Sequence, residues 1–151
     1  DPGREFPGVR VLGPGPDVAT LPIATFAVEG VPHALVAARL SAEFGIGVRH
    51  GCFCAHPYLV RLLGMTEPEL DHFREVARGH DRRSLPGAVR ASAGISTGAK
   101  DIERLLAAVA VVATTEPPVA YGVDPVTGDY WPEGFPRPDA DLGPATGCAR
   151  G

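Results

Sequence analysis

The chain has 151 residues, 44% hydrophobic and 21% charged, with a formal net charge of -4 at pH 7. That suits one globular domain with a sizeable core plus a further segment, and the mild acidity gives no reason to expect nucleic acid or an anionic membrane as a partner. No apolar run approaches the ~18 residues of a membrane span, no secretory signal opens the chain, and three cysteines, two of them two positions apart, make no disulfide framework, so a reducing, cytoplasmic setting is expected.

The first strand candidate is VRVLG, Val9 to Gly13, stopped by the turn-rich GPGPD. The β-favouring run Ile23 to Val28 reads as a buried strand ending at Gly30. Pro32 suits the first turn of a helix running to Phe44, with Leu35, Val36, Leu40 and Phe44 as its apolar stripe and Arg39 and Glu43 facing water; Gly45 stops it. Ile46 to His50 is the next strand, followed by a cysteine-bearing loop. Pro57 opens a short helix to Leu63, with Gly64 as a left-handed stop. Thr66 and Glu69 form a capping box for a third helix, Thr66 to Arg78, whose buried face is Leu70, Phe73 and Val76. After the polar loop HDRRSLPG, Ala88 to Ile95 reads as a strand. Ser96 or Thr97 then caps the last helix, whose apolar face is Ile102, Leu105, Leu106, Val109 and Val112. Beyond Thr114 the chain is Pro- and Gly-rich, too poor in periodic apolar residues for a core of its own. Residues 1–114 are therefore expected as a small α+β two-layer domain, a short, mostly antiparallel sheet with helices packed on one face, and 115–151 as an irregular tail.

The stretch VRHGCFCAHP sets His50, Cys52, Cys54 and His56 at alternate positions. Extended, it would place the two histidines about 20 Å apart, whereas ligands of one zinc ion lie within about 2.3 Å of it. Paired CxxC units are absent, so a metal site is not expected. Cys52 reads as a small buried apolar residue. Cys54 stands in a strand–loop–helix turn, three residues before Pro57, with Arg49 at the end of the preceding strand; a helix N-terminus and a cation both favour a thiolate. His50 and His56 flank that thiol and could carry protons, although packing roles are as well supported. His33, His72 and His80 are expected in solvated or capping roles. Arg39, Arg61, Arg78 and Arg104 read as solvated helix faces, Arg82 and Arg83 as an exposed loop.

Arg49, Gly51, Cys54 and Ala55 fill an R-x-G-x-x-C-A pattern, and Arg90, Ala91 and Ser92 are followed by a helix carrying Asp101 to Leu105 in an acidic-aliphatic-acidic-Arg-Leu run. In this order, across about Val9 to Val112, the chain resembles the C-terminal small domain of class V aminotransferase-fold enzymes, nearest the cysteine desulfurase and selenocysteine lyase branch. The resemblance implies a pyridoxal phosphate enzyme whose cofactor is held by a lysine of a large domain, with the small domain closing over it and a homodimer at full length. It implies that Cys54 is the thiol that attacks the substrate sulfur, and that Arg90, beside Arg49 and His50, binds the amino acid's α-carboxylate, for which a guanidinium fork is suited. Other class V reactions (transamination, epimerisation, molybdenum-cofactor sulfuration) remain open on the same loop.

A Schiff base needs a lysine, and the only one here, Lys100, sits on the polar side of the last helix and is expected on the surface. GPGPD has prolines where a phosphate cradle needs N–H donors. No residue of this chain is therefore expected to bind the cofactor; it belongs to a domain of a longer polypeptide, as the start at Asp1 rather than Met also suggests. The competing expectation is a free-standing, non-enzymatic module that binds a partner or carries sulfur on Cys54. That module would leave no apolar surface uncovered.

Overall fold

A computed structural model describes residues 6–15, 18–79 and 82–136. Among these described residues, six strands and four helices run in the order β1 (Val9–Leu12), β2 (Ile23–Val28), α1 (His33–Phe44), β3 (Arg49–Gly51), α2 (His56–Leu63), α3 (Glu67–Arg78), β4 (Ala88–Ser92), α4 (Ala99–Thr114), β5 (Tyr121–Val123) and β6 (Tyr130–Pro132). The fold is the expected α+β domain. Its sheet has the order β1-β2-β4-β3, antiparallel throughout, and β5-β6 form a separate hairpin.

The sheet's period of two decides where the core lies. Phe26 and Val28 of β2 and Val89 and Ala91 of β4 project towards α1 and α4, meeting Val36, Leu40, Ala108, Val109 and Val112. A smaller cluster on the opposite face joins Leu12, Leu59 and Ala88, which seats α2 there, and Arg10 donates to the carbonyl of Leu63 at that helix's C-terminal end. Gly45 and Gly64 close α1 and α2 at φ 64° and 69°, the left-handed stops that L-residues with a Cβ resist.

Three details correct the sequence reading. Arg39 does not face water: it is 2% exposed, pairing with Glu43 at 2.8 Å and donating to the carbonyls of Val112 and Thr115. The two carbonyls lie some seventy positions downstream, beyond the reach of a helical-wheel argument. Neither Ser96 nor Thr97 caps α4; the N-cap is Gly98, whose N–H donates to Asp101, because the Thr97 hydroxyl is occupied accepting from Gly94 N–H in the turn before it. Two of the five residues of the α4 stripe are uncovered, Ile102 and Leu106 being about 40% exposed.

The irregular C-terminal segment includes a hairpin that sits on α1. The Tyr121 hydroxyl donates to Glu43 at 3.1 Å, and burial, reinforced by that carboxylate, pushes the phenol up to about 12. His80 and residues 137–151 lie outside the described residues.

Candidate functional site

Strand β4 sets the centre of the site. Because Val89 and Ala91 fill the main core, Arg90 projects from the other face, directly opposite Thr25 of β2 and Arg49 of β3. Two guanidinium-bearing residues in register on adjacent strands repel unless an anion lies between them. The Arg90 Nε is closed off from solvent and has no hydrogen-bond partner among the described residues. A buried, unsatisfied charged donor costs free energy, and a carboxylate would relieve it. The guanidinium carbon lies 4.9 Å from the centre of the Phe53 ring, a cation–π contact that fixes its plane.

Phe53 leads into the thiol. It and Cys54 both have positive φ, 53° and 57°, a region that costs non-glycine residues roughly 1–3 kcal/mol each when the surroundings impose it. Ala55 N–H donates to Cys52 O to close this turn, and α2 begins at His56. The turn leaves Cys54 exposed, while Cys52 is half-buried against the second cluster. Arg90, Phe53 and Cys54 are thus linked through one short loop. Phe53 is the member that the sequence did not single out, and an aromatic residue beside a candidate nucleophile is the signal that could have found it.

The other residues of interest divide. Arg49 shares Arg90's face. His50, one residue on, takes the opposite face, where its Nδ1 lies 3.2 Å from His33 Nδ1 and its Nε2 lies 3.3 Å from Asp129. His33 is half-buried rather than solvated, its Nε2 donating to Leu85 O, and burial draws its imidazole below the ordinary 6.5. His56 stacks on Phe73 with ring centres 5.9 Å apart. Lys100 is exposed in the first turn of α4, away from any such cradle, so the residues present do not fit as the Schiff-base site of pyridoxal phosphate. Among the described residues no group of three or more His, Cys, Asp or Glu is placed to hold a metal ion, and no helix is long and apolar enough to cross a membrane. The roomiest of the described cavities, about 580 Å³, lies elsewhere, between α1 and the β5–β6 hairpin.

A strand carrying R-A-S beside a thiol-bearing R-x-G-x-x-C-A turn defines the class. The profile of the aminotransferase class-V family matches residues 4–105, and the chain belongs to that family. Among curated proteins it is similar to one described as a probable cysteine desulfurase from Pseudomonas aeruginosa, 36% identical over 102 residues. A protein of the same description from Vibrio cholerae is 32% identical over 101 residues, and one from Pseudomonas putida 35% over 102. These matches cover 67–68% of the chain but 19% of each relative, so the chain spans about a fifth of the length of the proteins it matches.

Proposed function

We propose that this chain is the C-terminal small domain of a pyridoxal phosphate-dependent class V enzyme that removes sulfur from L-cysteine. The observation that carries the reading is the unpartnered, buried Nε of Arg90, facing Arg49 across the sheet and stacked on Phe53 beside the exposed thiol of Cys54. Arg90, with Arg49, holds the substrate α-carboxylate by paired charge-assisted hydrogen bonds. The strained turn presents Cys54 with little conformational freedom to lose. Its thiolate attacks the substrate sulfur; the S–S bond forms as the substrate's C–S bond breaks. The electron pair and a proton go to carbon, releasing alanine and leaving a persulfide on Cys54. Pyridoxal phosphate, when bound to the polypeptide outside this chain, supplies the electron sink for carbanion chemistry.

The uncovered apolar surface supports a domain that packs on more polypeptide rather than a free-standing module. Leu21 is 74% exposed, and with Ile23, Ile102 and Leu106 it lines a cavity of about 460 Å³ at one end of the sheet. Scattered apolar exposure is ordinary, but a contiguous stretch of it marks a contact surface.

The test uses the longest native form with pyridoxal phosphate and L-cysteine, measuring alanine release and persulfide. Cys54→Ala is expected to abolish both while leaving cofactor absorbance intact. Alanine release unchanged by Cys54→Ala would remove the persulfide mechanism, and cofactor binding with no alanine from the wild type would leave one of the other class V reactions.

A further inference from the structure

On the face of the sheet away from Arg90, two histidines from different elements meet ring to ring. His33 opens α1 and His50 lies in β3; their Nδ1 atoms are 3.2 Å apart and their ring centres 5.3 Å. The far nitrogen of each ring faces a group that only accepts hydrogen bonds. His33 Nε2 lies 3.0 Å from Leu85 O, and His50 Nε2 lies 3.3 Å from Asp129 Oδ1.

A histidine that ligates a metal is built this way. It binds through an unprotonated nitrogen and donates its other N–H to a carbonyl or carboxylate, which fixes the tautomer and aims the ring. Both outer partners are in place here, a backbone carbonyl for one ring and a carboxylate for the other. The inner spacing fits as well. Two nitrogens each about 2.0–2.1 Å from a tetrahedral ion lie about 3.3 Å apart, and the two Nδ1 atoms are separated by 3.2 Å.

We propose that His33 and His50 hold a divalent transition-metal ion between their Nδ1 atoms, with Leu85 O and Asp129 as the outer acceptors that orient the two rings. Imidazole nitrogen favours zinc, copper and nickel, whereas magnesium and calcium seek oxygen. The pair differs from the alternating residues of VRHGCFCAHP, because one member comes from seventeen positions upstream of the other.

The surroundings prepare the site. A Cβ at Gly87 would come within 2.4 Å of the His33 ring, so only glycine leaves that ring the room it occupies. A cavity of about 180 Å³ adjoins both histidines and has space for water to complete the coordination. Among the described residues no other His, Cys, Asp or Glu makes the pair a group of three, so the ion exchanges with solvent. The Asp129 carboxylate also offsets the guanidinium of Arg82, another residue lining that cavity. Without an ion the same gap is closed by an N–H···N hydrogen bond, so the two occupants can be told apart.

Zinc titration of the longest native form by calorimetry tests this. The wild type is expected to bind one equivalent more than His33→Gln or His50→Gln, and Cys54→Ala is expected to keep that equivalent. Asp129→Ala, a change at an exposed residue, is expected to weaken it about tenfold. Imidazole ¹⁵N spectra of the wild type give a second reading that needs no variant. At saturating zinc, two rings are expected to bind through Nδ1 and keep their protons on Nε2. A wild type that binds no more zinc than the histidine variants, or an equivalent lost with Cys54→Ala instead, would overturn the site. A proton still shared between the two Nδ1 atoms at saturating zinc would overturn it too, and would make the contact a hydrogen bond only.

Discussion

At the scale of single residues, Arg90 combines two features that cost free energy. Its Nε is buried without a partner, and Arg49 stands opposite it. Replacing it with methionine removes an unsatisfied charged donor while retaining an unbranched stem of similar reach over Phe53. An unmet buried donor costs about 1–3 kcal/mol, against a cation–π contact of roughly 0.5–1 kcal/mol. Arg90→Met is therefore expected to stabilise the chain by about 1 kcal/mol, read as a higher urea midpoint at unchanged m-value, and, on the proposed desulfurase reading, to abolish alanine release by the longest native form. A lower midpoint would mean that Arg90 is satisfied in the resting protein. Arg90 and Cys54 were conspicuous in the sequence because their motifs are contiguous. The positive φ of Phe53 and Cys54 was not, since neither residue type announces it and glycine, the usual marker, occupies position 51 instead.

Among the elements, the helices whose ends are punctuated by proline, glycine or a capping box were the most legible. α1, α2 and α3 begin within a residue of where Pro32, Pro57 and the Thr66–Glu69 pair place them, because those residues act locally. Strand lengths were less so. β4 ends at Ser92, where Ala93 N–H turns to Pro22 O, three residues before the β-favouring run itself gives out. The short hairpin strands, three residues each with a proline in one, carry no period to read.

Helix α3 shows how far a local signal goes. Glu69 accepts from the Thr66 N–H at 2.6 Å and from its hydroxyl at 2.7 Å, and these bonds hold its carboxyl below the ordinary carboxylate range. Leu70, Phe73 and Val76 are only half-buried, so α3 is held to the domain weakly and its cap is a large share of what keeps it helical. Thr66→Ala is expected to cost α3 about 1 kcal/mol. The loss should appear as faster hydrogen exchange across Glu67–Arg78 with little change in β2 or β4. Uniform acceleration across the domain would show that α3 unfolds only with the whole.

For the whole molecule, Arg39 is where α1, α4 and the hairpin meet. Its guanidinium pairs with Glu43 through both nitrogens Nε and Nη2, donates to Val112 O and Thr115 O at the end of α4, and through Glu43 reaches the Tyr121 hydroxyl. The helical spacing alone assigns this pair to the solvent; the C-terminal segment, returning over α1, buries it. The same return explains why a stretch without a core of its own still has a fixed place, since it borrows the polar floor of α1. Removing one member of a buried ion pair strands the other, typically at 3–5 kcal/mol, whereas replacing both by apolar residues is often near neutral. Arg39→Met is expected to destabilise the chain by about that amount. Arg39→Met combined with Glu43→Leu should recover most of it, less about 1 kcal/mol for the Tyr121 hydroxyl that then lacks an acceptor. Urea denaturation of wild type, both single variants and the double variant closes the thermodynamic cycle. A double variant as unstable as the sum of the singles would show that the hairpin, α1 and α4 are held independently, and that Arg39 is buried by packing rather than by the network it completes.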